Sequence, residues 1–487
     1  DGGEASLAVT AGNVAMGTAS DRANLYVGRT TGDPVTYDNS EGILDLTGVA
    51  QFTAYLDKFE IGVRTSSGNN SYAVGSVMLA ALNYIDASEV LISQNAMWYD
   101  PAQSALTLGE SNTIKTDTFI VGGNRGNALV EFGAAGGTLA LSGSGEAAAD
   151  LYVGYCTMQT GNPTTAVMDL SGGAFNATLD TLLVGLHAWR ADQTPVTTAT
   201  LSFDAGEVRA NDVTIGEGTV SGSNEGKGIG TLNMGGGSFL VANSIELGMG
   251  SSVSEGTFHM TGGATTVTGS VLGGIGSSTV KVEGGALNVT GTVEVDSLTL
   301  SGAGTLSAGA VTVASGATFD FAGGTLSVDT FNGDLLQSGG TLAPGNSPGT
   351  TIINGDYTLG TGGTLEIDIE GLTAGSQYDQ LVVSGDVSLA GELSVLLDAG
   401  YSPTYNDLFW IVNNTGESTT TSGMFDGIDQ GEAFPLGGRS FFVYYGANYE
   451  TQAFYGGNDV LLTTIPEPST LVMLLGLLGL IGFRRRR

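Results

Sequence analysis

The sequence predicts an all-β protein whose main body is a parallel β-solenoid. Two observations predict it: a repeat with a spacing of 29 to 34 residues, and the prominence of glycine, which supplies 79 of the 487 residues. In each repeat an apolar strand ends in Val-Gly or a near equivalent, and Asp, Asn or Ser usually stands five residues earlier. The repeats close at positions 28, 62, 93, 122, 154, 185, 216 and 248. Regular repeats of this length are typical of stacked coils.

Residues 231–248 show the parts of one repeat. Thr231–Met234 alternates polar and apolar residues and is followed by three glycines, and further short strands are predicted over 238–242 and 244–247. Gly and Asn suit the corners between them because both tolerate positive φ. With no helix between the strands, each is expected to pair in parallel with its equivalent in the next coil, about 4.8 Å away.

One segment also fits a helix, because the apolar residues between positions 49 and 59 have helical spacing. However, residues 44–62 align with residues 168–185, where Thr178, Thr181 and Val184 favour a strand. Both segments are therefore predicted to be strands.

The repeats predict two solenoid segments: long-loop repeats of about 31 residues over 1–248, and short repeats of about 20 residues over 249–340. The long repeats contain a mostly polar segment after Val-Gly, which the short repeats lack. In a solenoid these segments would stack into one ridge, where such proteins place binding function. The alternative is that they are neutral insertions, which surface loops tolerate.

The composition changes near Gly340. The motifs Pro344–Gly349 and Tyr378–Val383 follow, and aromatic residues become more frequent over 341–464. This order resembles the C-terminal passenger region of autotransporter-like proteins, and the Gly-rich strands before it resemble their associated β-strand repeats. The resemblance implies a right-handed parallel β-helix closed by a β-rich cap over 341–464. A cap is also expected physically, because open strand edges invite pairing with other chains.

The segment 465–487 has three ordered parts. They are the residues Pro466, Glu467 and Pro468, an uncharged apolar stretch over 471–483, and the residues Arg484, Arg485, Arg486 and Arg487. The apolar stretch predicts a short C-terminal transmembrane helix, and the arginines predict a membrane stop on the cytoplasmic side. The tail resembles the PEP-CTERM sorting signal of Gram-negative bacteria. This resemblance implies processing by an exosortase, with a transient inner-membrane anchor followed by a cell-surface or extracellular location.

The charge of the chain bears on its partners. Its formal charge is −34, and four of its 15 basic residues lie in the tail, so no basic stripe is available for nucleic acid.

Cys156 is the one cysteine, so an internal disulfide is excluded, and a small core or loop residue is favoured over a nucleophile. The chain starts at Asp1 rather than Met, and we expect that a signal peptide has been removed.

No catalytic cluster is predicted, and neither a metal site nor a cofactor. The two histidines, His187 and His259, lie in different repeats, and His259 is expected to face solvent from a strand. His187, Trp189 and Arg190 form a candidate glycan-binding loop, because sugars stack on Trp; the alternative is a plain surface loop. Recurrent Asp and Asn at one corner favour a turn-capping role over calcium binding. The sequence leaves open whether two carboxylates form a glycoside hydrolase pair, because Asp and Glu are numerous.

Three functions are compatible with these observations. The first is an exported, non-enzymatic structural or adhesive protein of the extracellular matrix or cell surface, with exopolysaccharide or other matrix components as partners. The second is a carbohydrate-active enzyme on the same fold, either a polysaccharide lyase or a glycoside hydrolase. The third is a self-associating subunit of a filament or surface layer. The repeats, the lack of a catalytic cluster and the tail favour the first.

Overall fold

The computed structural model describes residues 4–30, 39–65, 72–94, 103–157, 163–188, 196–416 and 418–464. They form two compact units. The first contains the described residues up to 299 together with 316–318, and the second contains 300–315 and the described residues from 319 onwards. The all-β prediction is confirmed for these residues, in which the one helical element is the 3₁₀ turn Ser144–Glu146.

The strands of the first unit form three parallel faces, to each of which every coil contributes. The first face contains Glu4–Ala8, Ser40–Asp45, Ala73–Met78, Gln103–Leu108, Asn127–Phe132, Thr164–Leu170, Val196–Phe203, Lys227–Met234 and the first parts of Glu255–Val267 and Ser277–Glu294. The second face contains Asn13–Met16, Thr138–Ser142, Ser238–Val241, the first parts of Gln51–Val63, Leu82–Gln94, Ser111–Gly123, Ala174–His187 and Glu207–Gly218, the last part of Glu255–Val267 and the middle of Ser277–Glu294. The third face contains Ala23–Val27, Ala149–Cys156, Ile245–Met249, Val271–Gly273, the last parts of Gln51–Val63, Leu82–Gln94, Ser111–Gly123, Ala174–His187 and Glu207–Gly218, and the end of Ser277–Glu294. Ser297–Leu300 contains the boundary between the units.

Aligned apolar side chains fill the interior of this unit. Because strand side chains alternate, parallel pairing in register places equivalent residues of successive coils above one another. On the third face the aligned, fully buried positions are Phe59, Val90, Phe119, Leu151, Leu182, Val213, Ile245, Val271 and Val293. The interior is therefore continuous from coil to coil.

The corner residues that close the predicted repeats share one backbone conformation. All eight have φ between 61° and 83°, and seven are glycine; the eighth is Ser93. At Gly216 a Cβ atom would lie 1.9 Å from the backbone oxygen of Glu255, so glycine is needed there for space as well as for φ. The corner is thus fixed by backbone chemistry at every coil.

Polar side chains at a second corner join adjacent coils. The Nδ2 of Asn211 donates to Oδ1 of Asp180 at 2.7 Å, and the Nδ2 of Asn243 donates to Oδ1 of Asp212 at 2.9 Å. A similar bond occurs inside the unit, where the Nδ2 of buried Asn83 donates to Oδ1 of Asn112 at 2.8 Å. These corner residues therefore act between coils, and not only within their own turn as the sequence predicts.

The coils shorten along the chain. Leu201 pairs with Leu232, which pairs with Phe258, which pairs with Val280, so the coil length falls from 31 residues to 26 and then to 22. The segment after Gly216 forms a small antiparallel pair between Val220–Ser221 and Asn224–Glu225. The other long segments after Val-Gly lie largely outside the described residues.

The segment with mixed helical and strand signals is a strand, as predicted. Ser40–Asp45 and Gln51–Val63 match Thr164–Leu170 and Ala174–His187 four coils later. Phe52 and Phe59 are both buried, because Gln51–Val63 turns from the second face to the third between them. A bent strand therefore gives the apparent helical spacing.

The second unit combines parallel and antiparallel strands. Its strands are Thr305–Thr312, Thr318–Asn332, Leu335–Leu342, Thr350–Asn354, Tyr357–Ile369, Gln380–Val383, Val387–Leu389, Glu392–Leu397, Leu408–Asn414, Thr421–Gly423, Ala433–Leu436, Arg439–Ala447 and Asp459–Thr463. Parallel pairing continues through Thr421–Gly423, and the last strands pair antiparallel. Parallel strand pairing therefore continues beyond residue 341. Buried Leu342 pairs with buried Leu365, so the inward pattern of the coils persists although the composition changes.

The two motifs of the second unit meet at one buried carboxylate. Asp379, fully buried, accepts hydrogen bonds from Ser347 Oγ at 2.5 Å, from the backbone N of Gly349 at 2.6 Å and from the backbone N of Asp368 at 2.8 Å. Burial raises the pKa of Asp379 to about 6, although the three donors oppose the shift. This aspartate holds the turn 344–349 against the strand that follows Tyr378.

The predicted transmembrane helix lies outside the described residues. Within the part of the chain that the structure describes, there is no helix long and apolar enough to cross a membrane.

Candidate functional site

A polar depression of the first unit lies on the outer side of its second face. Strand side chains alternate between the interior and solvent, so every second residue of these strands points outward. Register pairing aligns the outward residues of five consecutive coils into rows. One row contains Tyr84, Thr113, Ala140 and Asn176, and another contains Asp86, Lys115 and Ser142, with Thr178 and Arg209 on the following coils.

These residues enclose a depression of about 510 Å³, which we call the polar groove. Its lining is Tyr84, Thr113, Lys115, Ala140, Leu141, Ser142, Glu146, Asn176, Ala177, Thr178, Glu207 and Arg209. The small side chains of Ala140 and Ser142 belong to the middle coil, and longer side chains stand on the coils at either side. The groove therefore results from a size difference between neighbouring coils.

Two ion pairs stand at the edges of the polar groove. Lys115 Nζ contacts Glu146 Oε1, and Arg209 Nε lies 2.5 Å from Glu207 Oε1. The hydrogen bond with Glu146 raises the pKa of Lys115, so this lysine is cationic at neutral pH. Both carboxylates and Arg209 are about half exposed or more. Each cation is therefore neutralised by a carboxylate, yet the charged groups can reach a ligand.

Tyr84 supplies the aromatic part of the groove. Its ring lies 5.7 Å from that of Tyr55 on the preceding coil, at an interplanar angle of 54°. Burial raises the pKa of Tyr84, so the phenol stays neutral and can donate a hydrogen bond. The groove thus combines an aromatic ring with hydroxyl, amide, ammonium, guanidinium and carboxylate groups.

This combination of groups can bind a polar ligand. The two carboxylates of the groove are also compatible with a catalytic role. Glu146 and Glu207 line the same depression, as a hydrolase pair would. Among the described residues no group of three His, Cys, Asp or Glu is placed to hold a metal ion.

Sequence reasoning missed the polar groove. Its residues come from five coils and form no motif along the chain. The one usable signal was the alternation within the strands, which assigns Tyr84, Lys115 and Arg209 to outward positions once the coils are aligned. The register that brings them together is a tertiary property.

Of the predicted glycan-binding loop, the structure describes His187. This residue ends the strand Ala174–His187 and is fully buried, with its Nδ1 2.6 Å from Oγ1 of Thr197. The strand continues two residues beyond the Val-Gly corner and carries the imidazole inward. Trp189 and Arg190 lie outside the described residues.

The remaining predicted positions are Cys156, His259 and the residues of the sorting tail. Cys156 is buried at the end of a strand. His259 lies at an outward position, and its Nε2 is 3.1 Å from Oε2 of Glu283. The sorting residues Pro466, Glu467 and Pro468, and the arginines Arg484, Arg485, Arg486 and Arg487, lie outside the described residues.

Comparison with solved structures finds the crystal structure of the Haemophilus influenzae Hap adhesin. The match has 10% sequence identity and covers 93% of this chain and 63% of that chain, with a TM-score of 0.25. The chain thus spans less than two thirds of the length of that adhesin. At this TM-score the two backbones do not superpose closely, and nothing about function is transferred from the adhesin.

Comparison of sequences gives one family result. No curated protein matches the chain. Residues 464–487 match the model of the PEP-CTERM protein-sorting motif. The chain therefore carries a PEP-CTERM sorting motif at 464–487, which signals export to the cell surface or the extracellular space.

Proposed function

We propose that this chain is an exported, non-enzymatic β-solenoid that acts as a structural or adhesive protein of the cell surface or extracellular matrix. The observation that carries the proposal is the sorting motif at 464–487 on a chain whose described body is a stack of parallel coils. Stacked coils present broad, regular outer faces, which repeat proteins use for binding. The polar groove supports adhesion, because charged and aromatic groups converge there.

The route to the surface is part of the proposal. An exosortase of a Gram-negative bacterium processes the chain at Pro466–Pro468, after the apolar tail and its terminal arginines have held it transiently in the inner membrane. The coils wind in a right-handed sense, as in the autotransporter-like proteins whose motifs the chain shares.

Localisation tests the proposal directly. The full chain is produced in a Gram-negative host that has an exosortase, and exposure is measured by antibody labelling of intact cells. We expect the parent chain at the surface or in the medium, and the variant Pro466→Ala/Pro468→Ala retained in the inner-membrane fraction. Asp320→Ala, a change at an exposed position far from the motif, is the control and should leave export unchanged. Equal surface labelling of the parent and the double variant would contradict sorting through the motif.

A carbohydrate-active enzyme is the second candidate, favoured by the placement of Glu146 and Glu207 in one groove. A hydrolase needs one carboxylate as the general acid and another as the base or nucleophile. Incubation of the purified chain with neutral and acidic polysaccharides, followed by reducing-end assay, separates the two functions. Turnover that is abolished by Glu146→Gln or Glu207→Gln would establish the enzyme, and absence of turnover with retained binding would support the adhesive protein.

A further inference from the structure

We propose that the polar groove is a binding site for an uncharged polysaccharide, held as a short extended stretch across the coils. This inference rests on the proposed function as an exported adhesive protein and names the class of its ligand. It assigns the contacts to Tyr84, Lys115, Glu146, Asn176 and Arg209, all of which line the groove.

The dimensions suit a short extended ligand. The groove reaches from Leu82–Gln94 across Ser111–Gly123, Thr138–Ser142 and Ala174–His187 to Glu207–Gly218. Four steps between neighbouring parallel strands span about 19 Å. A volume of about 510 Å³ is in the range of small-ligand sites and has room for several sugar rings. The groove lies on the outer side of the second face, so a polymer can enter without threading an end.

The floor and one wall suit a sugar ring. Ala140 is exposed at the middle of the floor, with Ser142 two residues further along the same strand. Small side chains here leave space for the ring itself. Tyr84 on the wall presents an aromatic ring to the apolar face of a pyranose, and its hydroxyl can bond a sugar hydroxyl.

The ion pairs decide between an uncharged and an acidic glycan. Lys115 is paired with Glu146, and Arg209 with Glu207, so a uronate or sulfate group would have to displace a protein carboxylate to gain a cation. The formal charge of −34 opposes the approach of a polyanion as well. Sugar hydroxyls do not meet this conflict, because they can donate to the carboxylates and accept from the cations in charge-assisted hydrogen bonds.

Binding is measured by titration calorimetry on the full chain. The probes are the uncharged hexasaccharides cellohexaose, laminarihexaose and mannohexaose, an acidic oligogalacturonate and a cationic chitosan hexamer. We expect at least one uncharged probe to bind. Its affinity should change less than twofold between 50 and 500 mM NaCl, because salt screens interactions between charges and the probe carries no net charge. Binding of the oligogalacturonate or the chitosan hexamer alone, or of no probe, would overturn the proposal.

Two variants place the ligand in the groove. Ala140→Trp fills the floor, and Tyr84→Ala removes the ring; each should weaken binding of the uncharged probe at least tenfold. Thr266→Trp is the matched control, because Thr266 is exposed at an outward position of the same face and does not line the groove. Equal binding by Ala140→Trp and Thr266→Trp, with unchanged circular dichroism, would overturn the assignment to the groove.

The outcome is separable from the proposed function. Surface labelling of intact cells reports export whether or not the groove binds sugar. A surface-exposed chain that binds none of the uncharged probes would refute the glycan site alone, whereas a chain that binds in solution but never reaches the surface would refute the exported role alone.

Discussion

In the first unit aligned apolar side chains repeat from coil to coil, whereas in the second unit single buried aspartates hold particular turns. Phe175, Phe203, Phe239 and Phe258 form a row of rings in the first unit, with successive centroids 6.0, 6.1 and 6.4 Å apart. In the second unit the buried carboxylates are Asp379, Asp407 and Asp459.

The buried aspartates of the second unit bind backbone N–H groups. The carboxylate of Asp459 accepts from the N of Asn414 at 2.7 Å and from the N of Tyr449 at 2.8 Å. That of Asp407 accepts from the N of Thr404 at 2.6 Å and the hydroxyl of Tyr401 at 3.0 Å. Such donors lie where the chain leaves the parallel pattern and neighbouring strands cannot satisfy them.

The two units differ in which contacts hold a residue in its place. A repeated coil gains its contacts from the neighbouring coils, so each position is supported by its equivalents. An irregular turn has no equivalent and depends on the groups that bind it. Four substitutions or conditions, ordered by expected effect, test this difference.

Phe239→Ala should cause the largest loss. The ring is fully buried between two neighbouring phenylalanines, so its removal leaves a cavity and should lower the free energy of unfolding of the first unit by about 4 kcal/mol. Urea unfolding followed by circular dichroism measures it. Leu240→Ala, at the next and only half-buried position, is the control. An equal loss of unfolding free energy in both variants would show that the row of aligned rings contributes no more to stability than a half-buried position does.

Gly216→Ala should destabilise the first unit by about 3 kcal/mol, because the new Cβ combines positive φ with a backbone overlap. Gly172→Ala provides a matched comparison: its φ is 78°, but nothing lies within 4 Å of the added Cβ, so we expect a cost of only about 1 kcal/mol. Thermal unfolding of both variants separates the two contributions. Similar melting temperatures would show that close approach at the corner is unimportant.

Asp379→Ala should destabilise the second unit by about 2 to 3 kcal/mol, because it leaves the buried N–H of Gly349 and the donors of Ser347 and Asp368 without their acceptor. Tryptophan emission in a Trp98→Phe/Trp189→Phe background, in which buried Trp410 is the remaining tryptophan, follows this unit. Asp320→Ala removes an exposed carboxylate from the same unit and should be neutral. An equally neutral Asp379→Ala would refute the role of the buried aspartate.

Over one pH unit, the pH dependence should be the smallest effect, at most about 1.4 kcal/mol for a single carboxyl group. Because burial raises the pKa of Asp379 from 3.8 to about 6, the folded state binds more protons than the unfolded state between these values. The contribution of Asp379 to stability is therefore complete below about pH 4 and decreases as the pH rises towards 6. Urea unfolding of the second unit at several pH values measures the slope, and Asp379→Asn should flatten it. Burial raises the pKa of Asp459 as well, so some slope should remain in that variant. An unchanged slope would contradict the assignment to Asp379.

Much of the fold follows from local sequence. The Val-Gly corners at Gly62, Gly122 and Gly185 were predictable, because a residue with positive φ must recur where each coil turns. The strand over Gln51–Val63 was predictable by alignment with a later repeat, despite its helical spacing. The continuation of parallel pairing beyond Gly340 was not predictable from composition, because the outward and turn residues change there while the inward residues do not.

The sequence by itself determined the repeat, the all-β class and the sorting motif at 464–487, since these depend on residues close together in the chain. The tertiary structure alone decided which outward side chains meet. Tyr84 and Arg209 line one groove because each coil of 27 to 36 residues advances by one strand spacing, so that residues far apart in sequence lie about 19 Å apart or less along the stack. It also decided that His187 lies inside and that Asp379 binds the turn at Gly349. Pairing register and burial, which arise only when the coils are stacked, set these contacts.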